Sequence, residues 1–91
     1  MSRYRWDLDK EAINIAKHGV AFLEAESAVV HDLARIEPNL SDADGGRFRN
    51  LGWSSAGRLL MVITSEHEVP PRIISARRAT KRERHAYERG R

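Results

Sequence analysis

The sequence is typical of an α+β domain with a small antiparallel sheet of about four strands. Two helical patterns come first, the strand candidates then follow one another without an intervening helix, and one helical pattern ends the chain. Strands that succeed one another directly pair antiparallel, whereas a parallel sheet needs crossover helices. A length of 91 residues predicts a single domain over 1–91, because two halves would each be too small to bury a core.

The first helix is predicted over 9–18. Ala12, Ile13 and Ala16 recur at helical spacing, Asp7 or Asp9 is suited to cap the start, and Gly19 is suited to end it.

A second helix is predicted over 22–30, with one apolar face formed by Phe22, Ala25, Ala28 and Val29. A short strand over 34–37 follows, and Pro38 is expected to end it. Residues 39–46 have the composition of a turn or loop.

Three further strands are predicted over 47–53, 59–63 and 72–76. The first mixes arginine with apolar residues, so one of its faces is expected to be solvated or functional. The run 59–63 is entirely apolar, which favours a central strand buried on both faces. Residues 54–57 have the composition of a hairpin connection.

The final helix has a clear start signal. Thr80 and Glu83 form the T-x-x-E capping box, and Gly90 is suited to close the helix. Lys81 and Arg82 occupy the first turn, where the helix dipole disfavours cations by roughly 0.3–1 kcal/mol. Tolerance of that cost favours an anion-binding role for this end of the chain. The helix offers only Ala86, Tyr87 and the ring of His85 to a core.

Composition excludes several classes of protein. Hydrophobic residues make up 41% and charged residues 32%, which is too apolar for a disordered tail. No apolar run approaches the length of a membrane span, and the first ten residues lack the apolar stretch of a secretion signal. The absence of cysteine excludes disulfide scaffolds, thiol catalysis and cysteine zinc sites, and fits a reducing, cytosolic compartment.

The net charge of +3 conceals an asymmetry. Residues 1–69 carry eight basic and eleven acidic side chains, whereas residues 70–91 carry eight basic and two acidic ones. Seven of those eight cations are arginine, which pairs bidentately with phosphate. Such an end is typical of a nucleic-acid or acidic-partner surface, and equally of a solvated helix.

No nucleotide-loop, zinc-protease or serine-hydrolase motif occurs, and the four histidines lack metal-ligand spacing. Metal-free RNA cleavage remains open. It needs proton-transfer groups and cations around the pentavalent phosphate. The strand candidates supply the cations, and two tryptophans are suited to stack bases or to fill the core. The cation candidates are Arg47, Arg49, Arg72 and Arg77; the proton-transfer candidates are His18, Glu66, His67, His85 and Tyr87; the tryptophans are Trp6 and Trp53.

Short motifs are spread along the chain from Trp6 to Glu88. The most specific are the KHGV string at 17–20 and the RIISAR string at 72–77. Others are Trp6-Asp7, Phe22 with Glu24 and Ala25, Arg47-Phe48, Leu51-Gly52, Gly57-Arg58-Leu59-Leu60, Thr64, Glu83-Arg84 and Tyr87-Glu88. In this order and spacing the set resembles the BrnT family of toxins from type II toxin–antitoxin systems.

The resemblance implies a RelE-like fold and a cytoplasmic ribonuclease that suppresses translation without a cofactor. It also implies a BrnA-like antitoxin that binds and neutralises the toxin in a hetero-oligomer. In the family the antitoxin carries the DNA-binding domain, so DNA contact is expected only through that partner, and no membrane contact is expected.

Carried onto this sequence, the resemblance makes Arg47 and Arg77 the best candidates for phosphate contact. Our hypothesis is that these two arginines stabilise the pentavalent phosphate and that His18, His67 or Tyr87 transfers protons. RNA binding is expected at Trp6, Lys17, Arg72, Lys81 and Arg82. Two departures from the pattern stand out. Many members have a glutamate just before the arginine that matches Arg47, where this chain has Gly45-Gly46, and many have an arginine shortly after the threonine that matches Thr64, where Ser65-Glu66-His67 follow.

Two alternatives stay open. The departures favour a non-catalytic interaction module that binds an antitoxin-like partner through its arginine-rich helix. The other alternative is a DNA-binding subunit, against which stands the lack of a helix-turn-helix pattern near the basic end.

Overall fold

The computed structural model describes residues 3–31, 35–38 and 46–89. It confirms an α+β fold in which two helices precede the sheet and one follows it. The elements are α1 (Leu8–His18), α2 (Phe22–His31), β1 (Arg35–Pro38), β2 (Arg47–Trp53), β3 (Leu59–Ser65), β4 (Arg72–Arg78) and α3 (Lys81–Arg89).

The four strands form one antiparallel sheet in the order β1-β2-β3-β4. The ladder between β2 and β3 is regular from the pair Arg47–Ser65 to the pair Trp53–Leu59. The strands β3 and β4 each extend two residues beyond the sequence prediction, and their pairing shifts register next to Ile63. The strand β1 begins and ends one residue later than predicted, and the loop predicted over 39–46 lies outside the described residues except for Gly46.

The helix α2 covers one side of the sheet, as its apolar face predicts. Phe22 and Val29 pack there with Leu60, Val62 and Ile73, all at most 2% exposed. Burial of such side chains is worth about 1.5–3 kcal/mol each, so this layer contributes strongly to stability.

An ion pair ties the β2–β3 hairpin to α2. Arg58 donates from Nε to the Glu24 carboxylate at 2.9 Å, and the Ser54 hydroxyl donates to the same carboxylate at 2.7 Å. The Arg58 guanidinium thereby holds the pKa of Glu24 below its usual value. This pairing gives a physical reason for the Glu24 and Arg58 motifs at distant points of the sequence.

The helix α1 packs through a polar residue. The expected stripe is largely solvent-facing, since Ala12 and Ala16 are exposed and Ile13 is 64% exposed, whereas Asn14 is buried. The Asn14 amide donates to the Ala76 carbonyl at 2.9 Å, and its oxygen accepts from the Ala76 N–H at 3.1 Å. Asn14 therefore pairs with the free edge of β4 as a neighbouring strand would.

We expect Asn14→Ala to lower the free energy of unfolding by about 2–4 kcal/mol, because three buried backbone groups, the Val20 carbonyl and both groups of Ala76, lose their partners. Urea unfolding followed by circular dichroism measures this. Ile13→Ala, on the exposed side of the same helix, is the control and should cost less than about 1 kcal/mol. Equal stability of the two variants would contradict this role of Asn14.

The helix α3 lies on the other side of the sheet and is anchored there by Tyr87. Its ring packs with Leu51, Leu59 and Met61. The neighbouring His85 and Ala86 are exposed, so the expectation that they contribute to a core is wrong. The capping box is confirmed: the Thr80 hydroxyl accepts from the Glu83 N–H at 3.1 Å, and the Glu83 carboxylate accepts from the Thr80 N–H at 2.9 Å. Gly90 lies outside the described residues.

Candidate functional site

Four arginines share the side of the sheet on which α3 lies. Arg49 pairs with Ile63 and Arg77 pairs with Met61, and both partners pack on the α3 side. Arg47 and Arg72 both pair with Ser65, one alternation further along that side. Since α3 packs over Leu51, Leu59 and Met61, it covers only one end of this surface. We call the remainder, formed by Arg47, Arg49, Arg72 and Arg77, the arginine face.

Glu83 is the anion at the centre of the arginine face. Its two oxygens accept from Nη1 and Nη2 of Arg77 at 2.8 and 2.9 Å, and one of them lies 3.6 Å from the Arg49 guanidinium. The Arg77 guanidinium, with help from the Thr80 N–H and Arg49, lowers the pKa of Glu83 to about 2. Glu83 in turn raises the pKa of Arg77, so both groups are charged at neutral pH.

The depressed pKa of Glu83 predicts acid sensitivity. Between about pH 4.5 and pH 2 the unfolded chain binds a proton at Glu83 that the folded chain does not, so stability falls as the pH falls through this window. After solvent screening we expect the Glu83 contribution to be of order 1–2 kcal/mol. Unfolding of wild type and Glu83→Gln at pH 6 and pH 2.5 measures it. A stability difference that does not shrink on acidification would contradict the prediction.

The other two arginines of this face differ in their surroundings. Arg47 is exposed and makes no ion pair within residues 3–31, 35–38 and 46–89. Arg72 is 3.6 Å from Glu68, and its Nε is buried without a hydrogen-bond partner among the residues that the structure describes. Arg47 is thus the cation most accessible to a ligand.

His67 lies at the same end of the sheet as Arg47, just beyond β3. Its ring rests against Gly46, where a Cβ atom would approach the imidazole to within 2.2 Å. The Glu66 N–H donates to the Gly46 carbonyl at 2.7 Å, which continues the ladder by one pair. By alternation, position 46 points away from the arginine face, so the His67 ring lies against the opposite side of this sheet end. A side chain at position 46 would displace this ring from its present position.

Lys17 and His18 lie elsewhere. They line a shallow groove along the outer edge of β4, together with Lys10, Ile13, Asn14, Ile74 and Ser75. Both are exposed at the end of α1, next to Gly19, whose positive φ of 71° ends the helix. Lys17 and His18 therefore lie beyond the outer strand β4, whereas Arg47 lies on β2.

Two aromatic candidates serve in packing. Trp6 packs on the side of the sheet that α2 covers. Its ring meets that of Phe22 edge to face, with 6.3 Å between the ring centres. Tyr87 is only 8% exposed beneath α3. Their placement favours the packing interpretation over base stacking for Trp6 and over proton transfer for Tyr87. Trp53 is more accessible, and the Arg84 guanidinium lies 5.1 Å from its ring centre.

Lys81 and Arg82 are exposed in the first turn of α3. Arg82 lines a groove on the outer surface of that helix with His85, Glu88 and Arg89. These cations extend the basic surface beyond the arginine face.

Sequence reasoning missed Glu83 as a site residue. The capping box located it at the start of α3, but only the folded structure shows that its carboxylate also meets Arg77 and Arg49. Within the described residues no three histidine, aspartate or glutamate side chains converge to hold a metal ion.

Comparison with known proteins decides the family. The family model described as the ribonuclease toxin BrnT of type II toxin–antitoxin systems matches residues 6–83. The chain belongs to the BrnT family. This confirms the resemblance carried by the KHGV and RIISAR strings, and with it the interpretation as a ribonuclease toxin of a type II toxin–antitoxin system.

A solved BrnT structure supports this assignment. The crystal structure of the Brucella abortus ribonuclease toxin BrnT matches with a TM-score of 0.63 and 26% identity, covering 86% of this chain and 96% of that one. A search among curated proteins gives no significant match. None of the helices in the described residues is long and apolar enough to cross a membrane.

Proposed function

We propose that this BrnT-family chain is a catalytically competent endoribonuclease that cleaves RNA without a metal ion and so inhibits translation in the cytoplasm. The observation that carries the proposal is the arginine face, where strand pairing places four guanidinium groups on one partly open side of the sheet. Family membership supports the ribonuclease assignment. The arginine face provides the positive charge that binding and cleavage of an RNA phosphate require.

The chemistry requires cations fixed before the substrate arrives. Attack of a 2′-hydroxyl on the adjacent phosphate concentrates negative charge on the equatorial oxygens, and preorganised donors stabilise that charge. Arg77 is held in place by Glu83, and Arg47 projects from β2 without an ion pair in the described part of the chain. We assign phosphorane stabilisation to these two arginines and RNA docking to Arg72, with Lys81 and Arg82 as outer contacts.

We assign proton transfer to His67 because its ring lies at the same end of the sheet as Arg47. The ring occupies the space that a side chain at position 46 would take. The family resemblance places a glutamate at this position in many members, so a proton-transfer group at this end of the sheet is in keeping with it. His18 lies at the outer edge of β4 and Tyr87 is buried, so neither is as well placed.

We expect His67→Gln to lower the single-turnover cleavage rate by about 10²-fold, because glutamine has a similar size but cannot accept or release the transferred proton. The same variant of His18 is the control and should cleave as wild type does. An unchanged rate in His67→Gln would assign proton transfer to another group.

We further propose that a BrnA-like antitoxin silences the toxin in a hetero-oligomer and provides any contact with DNA. Large apolar side chains on the two N-terminal helices support a protein partner: Leu8, Ile13 and Leu23 are each at least 64% exposed. Sedimentation of the mixed proteins tests this. Two species that sediment independently would contradict the proposal.

The test of the catalytic proposal is a cleavage assay with purified, antitoxin-free protein whose folding is verified by circular dichroism. We expect RNA to be cut equally with and without EDTA, and cutting to stop when the antitoxin is added. Intact RNA in the presence of folded toxin would overturn catalytic competence and leave family membership unaffected.

A further inference from the structure

The Glu83 carboxylate binds the Nη1–Nη2 edge of the Arg77 guanidinium and does not cover the Nε–Nη2 edge. The two contacts join Oε1 to Nη1 and Oε2 to Nη2, so the carboxylate occupies the end of the guanidinium plane. The second Nη1 proton is directed to the Arg78 carbonyl, at 3.2 Å. Among the residues that the structure describes, the Nε–H and one Nη2–H of the five N–H donors have no partner. These two lie side by side and form the second edge that binds a phosphate bidentately.

The carboxylate that fixes Arg77 is itself fixed. Glu83 is the third residue of α3 and is held by its capping contacts with Thr80, one of which reaches its side chain at 2.9 Å. The Glu83 side chain is only 13% exposed, whereas that of Arg77 is 39% exposed. The buried end of the pair is therefore the anchor, and the free edge of Arg77 is the part that a ligand can reach.

We propose that Glu83 is a positioning residue that holds Arg77 so that its Nε–Nη2 edge faces an RNA phosphate. This deepens the proposed ribonuclease function and rests on it. Glu83 itself is not the general base, because its carboxylate is saturated by two arginines and a backbone N–H. Because Glu83 belongs to the N-terminal cap of α3 and binds Arg77, the position of α3 determines the position of this guanidinium on β4.

The test compares three variants with wild type. Glu83→Gln keeps a capping group but loses the charge and the paired contact. Glu83→Asp keeps the charge on a shorter side chain. Glu88→Gln makes the same charge change on an exposed position of the same helix and is the matched control. Thermal unfolding of each protein establishes that all assays use folded material.

The first readout is independent of cleavage. With 2′-O-methyl RNA, which cannot be cut, the Arg77 Nε–H signal in ¹⁵N nuclear magnetic resonance should shift strongly in wild type and in Glu88→Gln. It should shift by less than half as much in Glu83→Gln, with Glu83→Asp between them. An equal shift in Glu83→Gln, or no shift in wild type, overturns the proposal.

The second readout is the single-turnover rate with cleavable RNA. We expect a loss of about tenfold or more in Glu83→Gln, because a misplaced catalytic group costs this much, with little change in affinity for 2′-O-methyl RNA. A rate that rises in Glu83→Gln would show that Glu83 only weakens the positive face, and would overturn the proposal. If wild type shows the Nε–H shift but cuts nothing, the ribonuclease proposal fails while the positioning role stands.

Discussion

Arg77→Ala is expected to reduce the single-turnover rate of RNA cleavage by at least about 10²-fold and to abolish growth arrest on expression. The guanidinium that is lost is the one preorganised by Glu83, and removal of a single preorganised donor to a charged transition state costs about 10²–10³-fold. Arg77→Lys keeps the charge but not the planar pair of donors, so we expect it to recover little of the rate.

The control for Arg77→Ala lies on the next residue. Arg78 pairs with Leu60, which packs on the side of the sheet that α2 covers. Arg78→Ala therefore removes the same charge from the side opposite the arginine face. We expect Arg78→Ala to cleave RNA nearly as well as wild type. If the two alanine variants lose activity equally, the effect comes from net charge and not from the arginine face.

Arg47→Ala is expected to abolish growth arrest and to lower the cleavage rate about 10²-fold without changing stability. Arg47 is exposed and has no ion pair in the described residues, so its removal leaves no buried group unpaired. The thermal midpoint should therefore match that of wild type, whereas Arg77→Ala also deprives Glu83 of its partner and should lower it.

Arg3→Ala is the matched control for Arg47, since it removes an exposed arginine from the N-terminal segment. Full toxicity of Arg47→Ala, with expression equal to that of wild type, would refute the role given to Arg47 and confine catalysis to other residues.

Local signals predicted much of the fold. The apolar face of α2, the bounds of β2, the buried character of β3 and the capping box of Thr80 and Glu83 all depend on neighbours in sequence. The sequence predicts these features correctly because periodicity and capping chemistry act within a few residues.

Long-range contacts explain what sequence reasoning missed. Asn14 is buried because a strand edge 62 residues away needs hydrogen-bond partners, and no local pattern records that need. The apolar residues around Ile13 predict that their own face of α1 is buried, whereas the structure buries the face that carries Asn14. Strand pairing likewise determines that Arg49 and Arg77 meet Glu83, so only the register of the sheet reveals the centre of the site.

The two departures from the family pattern also look different in the fold. Gly46 is the position against which the ring of His67 lies, so the two departures meet in the fold. A pair of this kind is invisible in a motif comparison that treats each position alone, because the residues are 21 positions apart in the sequence and meet only in the folded sheet.

The most direct test of the account is a map of the RNA contact surface. Backbone amide shifts, recorded as 2′-O-methyl RNA is added to the antitoxin-free protein, report which surface the RNA touches. We predict the largest shifts in β2 and β4 around Arg47, Arg72 and Arg77, with small shifts in α2. Shifts concentrated on α2, or on the outer surface of α3 with none at Arg47 and Arg77, would contradict the claim that the arginine face binds RNA.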